Sequence, residues 1–309
     1  MSGIAKKLII LLICLVILFV FVVGIKLLLR PLAGRTSFLV MGIAGENHAG
    51  KDLTDSMMFV TIDNQTGKTL ILSLPRDIWI PSLKTKINSV YHYQGMAQVK
   101  KTVVEIVGQP VDYGLVLDFN FFKTAIDQLG GIEVNVERSF DDFKYPIAGK
   151  ENDLCDGDKE FKCRYEYLHF DTGWQTMDGD LALKFVRSRN AEGDEGTDFA
   201  RDQRQQKVIL AIKNKVLSPK FLLSPGRPYG LLKTVLANIT TDIPQNKYFD
   251  LAKIGLRIRT RNIQTAVLGE DYLVNPKLSK TYDNQWVLIP KAGDWSEVQK
   301  FINSLINLP

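Results

Sequence analysis

Histidine and cysteine are scarce in this chain: three of each in 309 residues. His48, His92 and His169 lie far apart. None pairs with a serine or cysteine in a nucleophile motif, and no HExxH occurs. That leaves zinc-protease and Ser-His or Cys-His chemistry without support, and each histidine reads as structural. Cys14 sits in an apolar run and behaves as a small hydrophobe. Cys155 and Cys163, in DLCDGDKEFKCRY, lack a histidine partner and do not read as zinc ligands. They close a disulfide if this part of the chain lies outside the cytoplasm, and stay as free thiols otherwise. Internal repeats and low-complexity tracts are also missing. So is any excess of charge beyond the N-terminus. Lys6, Lys7, Lys26, Arg30 and Arg35 are the charges of residues 1–35, and removing those five from the 39 basic residues leaves 34 against 34 acidic. A neutral body without a basic stripe excludes a nucleic-acid partner as the working hypothesis.

What is present begins with Leu8–Ile25, an uncharged run of 18 residues, then Lys26, three leucines and Arg30. The run is long enough to span a bilayer. It is longer than the 7–15-residue core of a cleaved signal peptide, so an uncleaved single-pass anchor is expected. Flanking positive charge is nearly balanced and does not set the orientation. Residues 1–35 thus form a tip, anchor and linker, and 36–309 a separate domain.

In that domain strands are expected at Ser37–Ile43, Met57–Asp63, Lys68–Leu74, Tyr113–Phe119, Ile132–Val136, Ile263–Leu268 and Trp286–Ile289. Helices are expected at Tyr91–Val107, at Phe121–Leu129 with Gly130-Gly131 ending it, at Phe199–Val216 and at Trp295–Ile306. Residues 138–175 read as loop-rich, and Ser218–Tyr229 as a link followed by one or two helices. Alternation of strands and helices argues a layered α/β sheet flanked by helices.

The chemistry concentrates in DGDLALKFVRSRNAEGDEGTDFARDQRQQ, Asp178 to Gln206. It holds Arg187, Arg189, Arg201 and Arg204. If Val186–Arg189 is extended, Arg187 and Arg189 share a side. Thr197 or Asp198 reads as an N-cap, and on the helix that follows Arg201 and Gln205 fall at i and i+4 on one face. Arginine in a first turn opposes the helix dipole. Two guanidinium groups ~6 Å apart repel by ~3 kcal/mol at an effective dielectric of 20. An anion among them reverses that sign, and phosphate suits the planar fork of arginine. The competing reading is an arginine-rich surface held by Asp194, Glu195, Asp198 and Asp202.

Other stretches are shorter. GENHAGKD, Gly45–Asp52, nearly matches a P-loop, but Asp52 replaces the required hydroxyl and a strand-like run follows instead of a helix. Asp55 in LTDSMM stands at a strand mouth, as a Mg²⁺ ligand or a turn aspartate. SLPRD places Arg76 and Asp77 at the C-terminal mouth of a strand, and Lys86 and Asn88 lie near the start of the next helix.

In order and spacing, LTDSMM, SLPRD, KIN, DFNFF–LGGIEVNV, MDGDLALKFVRSR and RDQRQQ together resemble the LytR–CpsA–Psr family of bacterial envelope proteins, over about residues 36–215. The resemblance implies a mixed sheet flanked by helices, outside the cytoplasm on an N-terminal membrane helix. The implied function is a Mg²⁺-dependent phosphotransferase that moves a glycan polymer from a polyprenyl-pyrophosphate carrier to peptidoglycan. Arg76, Lys86, Arg187, Arg189, Arg201 and Gln205 resemble the family's pyrophosphate ligands, and Asp55 a metal ligand. Arg76, Asp77 and Arg189 are the expected catalytic set, with Asp77 as general base or as orienting partner of an arginine. One departure stands out: Ala44 occupies about the place of a second metal-binding aspartate, leaving Glu46, Asp52 or phosphate oxygens alone to replace it. The lipid tail needs an apolar groove, with the sheet and the Tyr91–Val107 helix as expected walls. The other functions open to these residues are polyprenyl-pyrophosphate hydrolysis and lipid-pyrophosphate binding without turnover.

Overall fold

Apolar residues run almost continuously along the first strands, and because side chains alternate sides with period two each strand has two apolar faces. In the computed structural model, which describes Phe19 and residues 32–45, 50–150 and 152–307 (backbone alone at 198, 199 and 260), both faces are covered. β2 (Thr54–Asp63) pairs antiparallel with β1 (Arg35–Ile43) on one side and with β3 (Thr69–Leu74) on the other. The short β4 (Trp79–Ile80) and β5 (Thr85–Lys86) form a separate hairpin. β6 (Tyr113–Asp118) joins β1 in parallel. Together with β11 (Thr240–Thr241) and β12 (Ile263–Val267) they complete a mixed six-stranded sheet in the order β11-β6-β1-β2-β3-β12. The expected membrane span, Cys14, Glu46 and His48 lie outside the described residues. Among the described residues no helix is long and apolar enough to cross a membrane.

One sheet face turns Leu39, Met41, Met57, Phe59 and Leu72 into a core shared with α1 (Ile87–Val107). Each such side chain contributes ~1.5–3 kcal/mol on leaving water. α1 supplies Val99, Val103 and Ile106, and α8 (Ser296–Ile306) supplies Val298 and Ile302. The alternate residues, Val40, Met58, Val60 and Ile71, face the other way, onto a cavity.

A second core lies beyond that cavity. α2 (Phe119–Leu129) and β7 (Ile132–Val136) contribute Ile126, Leu129, Ile132 and Val134. The hairpin β8 (Phe140–Pro146) and β9 (Tyr165–Phe170) adds Phe140, Leu168 and Phe170. β10 (Gly173–Met177) pairs with β7, and α3 (Gly179–Arg187) packs Phe185 against Phe140 and Phe170. α4 (Asp198–Val216), α5 (Pro219–Leu222), α6 (Arg227–Asn238) and α7 (Tyr248–Arg257) follow. Gly130 ends α2 at φ 76°, a left-handed position that other residues adopt with strain. At Gly179 a Cβ would collide with the backbone of Lys123, so glycine is what lets α3 start against α2.

Several sequence expectations are corrected. The stretch 138–175, expected to be loop-rich, keeps a long loop between Pro146 and Tyr165 but also carries the strands β8, β9 and the start of β10. The β8–β9 register shifts between Asp142 and Tyr145, and that bulge breaks the alternation a strand would show in sequence. α1 begins at Ile87, four residues early, and is interrupted at Gly95. The strand expected at Trp286–Ile289 is β14 (Ile289–Pro290), paired with β13 (Leu273–Val274). Val186–Arg189 is not extended. α3 runs to Arg187, because Asp178 caps Leu181 N–H and Ala182, Phe185 and Val186 form a buried face. Cys155 and Cys163 are joined in a disulfide, Cα atoms 5.5 Å apart, closing a loop between β8 and β9.

Two clusters stiffen the β8–β9 hairpin. Inward, the fully buried Asp142 carboxylate accepts from Ser188 Oγ (2.6 Å) and from the backbone N–H groups of Lys144 (2.9 Å), Arg189 and Asn190 (both 3.3 Å). Outward, Asp141 Oδ1 accepts from Tyr167 Oη and bonds His169 Nδ1 (2.8 Å), and His169 Nε2 meets Asp171 (3.1 Å). The bond from Tyr167, then that from His169, holds the Asp141 carboxyl below its ordinary value, while Asp141 and then Asp171 raise His169. The Asp141 contribution is therefore present above pH ~3.9 and lost as pH falls through its lowered value. The His169 contribution is complete below pH ~6.5 and lost as pH rises through its raised value.

Asp142→Ala should cost about 2–4 kcal/mol in urea unfolding, since it strands four buried or half-buried donors. An unchanged midpoint would remove Asp142 from this role. By NMR titration His169 should show a pKa above 6.5 that falls in Asp141→Asn; equal values in both proteins would contradict the pairing.

Candidate functional site

A cavity of about 940 Å³ separates the sheet from the second core. Its floor is the even-numbered face of β1 and β2, with Val40, Met58, Val60 and Ile62. Its roof is one stripe of α4: Arg201, Gln205, Val208, Ile209 and Ile212. These positions repeat at three- and four-residue steps, so a single helix face turns from cationic and polar at its start to aliphatic over ~16 Å, with Lys213 lining the cavity just past Ile212. Thr197 caps the helix by accepting the Ala200 N–H at 3.1 Å, and no part of α1 reaches the cavity lining. The expected α1 wall is thus corrected. α1 fills the opposite face of the sheet, and α4 does the covering.

The polar end of the cavity gathers residues from four segments. Arg187 and Arg189 both line it, although the first ends a helix and the second follows the turn at Ser188. Their common side arises from that turn, not from extended alternation. Arg187 lies over the Phe119 ring at 4.2 Å, and its Nη1 donates to Tyr145 Oη at 3.4 Å. Burial raises the Tyr145 phenol, and Arg187 then Lys184 partly offset this, so Tyr145 stays a neutral hydroxyl. Asp55 lines the same space and accepts from Arg76 Nη1 at 2.7 Å. Arg76 Nε stands 3.5 Å from Asp77 Oδ2, and Lys86 Nζ donates to Asp77 Oδ1 at 2.7 Å. Asp55, Arg76, Asp77 and Lys86 therefore form a chain of alternating charge leading away from the cavity. Asp55, Arg187, Arg189, Arg201 and Gln205 form its wall. Arg76 touches that wall through Asp55, and Asp77 and Lys86 stand behind it.

Two neighbours in the sequence cluster have other work. Arg204, buried, donates to the carbonyls of Phe185 (3.0 Å), Ser188 (2.6 Å) and Glu195 (2.9 Å) and to Glu195 Oε2 (2.8 Å). It fastens the Arg187–Arg189 turn to α4. Gln206 donates to Ser73 Oγ (3.0 Å) and the Ala266 carbonyl (2.9 Å), tying α4 to β3 and β12. Of the carboxylates in the competing reading, Glu195 holds the buried Arg204 and, with Asp194, the exposed Arg138 (2.9 and 3.2 Å), and Asp202 stands 3.6 Å from Arg201.

The sequence reading missed Asp118, Phe119 and Tyr145 on the cavity wall. Asp118 caps α2 by accepting the Phe121 N–H at 2.6 Å, so its D-x-x-F spacing is an N-cap signal that could have found it. Asp118 also bears on the metal question. Ala44 is buried and offers no ligand, and Asp52 faces His92 at 3.6 Å. Asp55 and Asp118 both open onto the cavity. Two carboxylates on the wall that also carries Arg187, Arg189 and Arg201 are a hard-oxygen donor set of the kind Mg²⁺ takes. The one grouping of three possible ligands among the described residues, Asp153, Cys155 and Cys163, contains the disulfide.

The chain matches the LytR_cpsA_psr family over residues 31–303. It is 26% identical over 272 residues to TagV of Bacillus subtilis, a polyisoprenyl-teichoic acid–peptidoglycan teichoic acid transferase. That match covers 85% of this chain and 63% of the relative. TagU of Bacillus mycoides, a transferase of the same description, is 29% identical over 221 residues, covering 70% of this chain and 63% of its own. The chain thus spans somewhat under two thirds of these relatives. Its fold is similar to the crystal structure of a Streptococcus agalactiae protein, with a TM-score of 0.65, 25% identity and 89% of each chain covered. It is also similar to that of B. subtilis TagV, with a TM-score of 0.64, 24% identity and 90% and 99% covered. With nearly the whole described domain matched, the chain belongs to the LytR_cpsA_psr family.

Proposed function

We propose that this protein transfers a glycan polymer from a polyprenyl-pyrophosphate carrier to peptidoglycan or another cell-wall acceptor. The observation that carries the reading is the lengthwise polarity of the cavity. Arg187, Arg189, Arg201 and Gln205 stand at one end and an aliphatic tunnel of Val208, Ile209, Ile212, Met58 and Val60 at the other. A ligand with a doubly charged head and a long apolar tail fits that gradient. At ~0.8 kcal/mol per buried CH₂, even part of the tail outweighs the cost of ordering it. The names of the TagV and TagU relatives point the same way.

The acceptor hydroxyl attacks the sugar-linked phosphorus. The new O–P bond forms, the P–O bond to the bridging oxygen breaks, and polyprenyl phosphate leaves with the electron pair and takes up the proton given up by the hydroxyl. Arg187, Arg189 and Arg201 neutralise the non-bridging oxygens, and their fixed positions are the main catalytic device in such a transfer. Phe119 and Tyr145 hold Arg187 in plane. Asp77, occupied by Arg76 and Lys86, orients Arg76 toward Asp55 and is a positioning residue. Asp55 and Asp118 would hold Mg²⁺, which would polarise a phosphate oxygen. The Cys155–Cys163 disulfide supports an oxidising compartment, with the domain outside the cytoplasm and residues 8–25 as its single-pass anchor.

The test is incubation of the full chain with a lipid-pyrophosphoryl glycan, Mg²⁺ and peptidoglycan fragments, with products identified by mass. A glycan–phosphate–peptidoglycan adduct is expected. Lipid monophosphate formed without adduct would mean a hydrolase, and binding without either product a regulator. Arg189→Ala should lower the rate at least ~100-fold with an unchanged unfolding midpoint, as for loss of a transition-state donor; near-normal turnover would take Arg189 out of the site. Ile209→Asp should weaken binding of the long-chain lipid at least ~10-fold, yet leave a short-chain analogue nearly unaffected. Equal losses for both would place the tail elsewhere.

A further inference from the structure

The outward face of the β8–β9 hairpin serves no role in the chemistry above. Tyr167 is 56% exposed and Phe143 54%, and their rings stack at 5.0 Å with 30° between planes. Such exposure is unusual for two adjacent aromatic side chains, because each forfeits the burial that normally justifies it. The arrangement is built, not incidental. Tyr165, Tyr167 and His169 alternate outward along β9 while Leu168 and Phe170 point to the core. The β8 bulge puts Phe143 opposite Tyr167. The Tyr167 hydroxyl is fixed by Asp141, which also holds His169, which in turn meets Asp171. The result is an aromatic platform edged by carboxylates and an imidazole.

We infer that this face binds the sugar rings of a glycan strand. It would be the acceptor subsite of the transfer proposed above, and the inference rests on that reading for its role. Pyranose rings present flat C–H faces that cover aromatic rings and a rim of hydroxyls that donate to carboxylates; this platform offers partners for both. The same hairpin reaches the transfer site, for Tyr145 and Pro146, two and three residues beyond Phe143, line the cavity. The hairpin is also bonded to the turn that carries Arg189, through Asp142 and the Lys144 carbonyl, so a strand held on the platform would run along β8 toward that turn. The charge of the face selects against a bilayer: Asp141 and Asp171 on either side of one histidine are repelled by anionic headgroups, whereas a neutral polyol is not.

The experiment uses the full chain in lipid nanodiscs and titrates a soluble β1,4-linked N-acetylglucosamine hexasaccharide, read by calorimetry. Saturable binding is expected, with Tyr167→Ala and Phe143→Ala each weakening it at least tenfold. Tyr167→Phe, which keeps the ring, should weaken it two- to threefold. A normal unfolding midpoint in each variant separates lost contact from lost fold. Absence of binding, or equal affinity in all four proteins, overturns the subsite. Quenching of Trp174 by brominated acyl chains without hexasaccharide binding overturns it in favour of a membrane-facing hairpin. Lipid-pyrophosphate binding, measured in parallel, keeps the two readings apart. If the unmodified protein yields no adduct from the lipid-pyrophosphoryl glycan yet binds the hexasaccharide, and Tyr167→Ala loses that binding, the transferase reading fails and the saccharide site stands. If Tyr167→Ala keeps lipid binding but no longer yields peptidoglycan adduct, both stand.

Discussion

The Asp142 carboxylate is the constraint on which the candidate site depends. Several guanidinium groups must be held along one wall of the cavity, and two of them ~6 Å apart at an effective dielectric of 20 would repel by ~3 kcal/mol. The protein restrains their backbone. Asp142 binds the Ser188 hydroxyl and the main-chain N–H groups of Arg189 and Asn190, and Arg204 clamps the Ser188 carbonyl from the other side. Anionic and cationic side chains are both consumed in fixing a turn, and that turn sets Arg187 and Arg189 on the cavity wall. Arg187 gains further support from two rings, which orient a guanidinium without cancelling its charge.

The second set of cations is handled differently. Arg76 is bonded to Asp55, and Lys86 to Asp77, so in this state their charges are already compensated. An incoming pyrophosphate would compete with Asp55 for Arg76, and a carboxylate released by that exchange is one a divalent ion can take. The two halves of the site therefore divide the work. One is preorganised by the backbone, and the other is a relay of ion pairs that can change partners. On the transfer proposed above, the energy for that exchange would come from the apolar tail, away from the reacting phosphorus.

Much of this was legible in the sequence, for reasons that can be located. SFLVMGI, MMFVTID and KTLILSL are apolar because both faces of the central strands are covered, and their β-branched runs mark them as strands. Arg201 and Gln205 share a face because helical geometry fixes it once Thr197 starts the helix. FVRSR was misread locally, since its helical register depends on Phe185 finding Phe140 and Phe170. FDDFKYP and YEYLHF hid as loop because one face of their hairpin is polar and a bulge shifts the phase. Asp142 was invisible. Nothing in the letters DD tells which carboxylate is buried, and its partners lie 46 to 48 positions away. The cavity wall was misassigned for a related reason. α1 and α4 both carry apolar faces, and only the strand alternation, with Leu39 on one side and Val40 on the other, decides which helix meets which face.

That alternation also explains why the tunnel stays open. A sheet with two apolar faces ordinarily closes both with helices. Here α1 meets its face directly, and its valines and isoleucines interdigitate with Leu39, Met41 and Phe59. α4 is kept from doing the same at its start. Arg201 and Gln205 need polar company, Arg204 is committed to the turn above, and Gln206 fixes the spacing to β3 and β12 through two hydrogen bonds. A helix held by polar ties at that distance cannot settle onto Val40, Met58 and Val60, and the aliphatic residues further along α4 are left facing a space instead of a core. The polar anchors that shape the headgroup site therefore also create the apolar volume beneath it, which is why the two features lie along one helix.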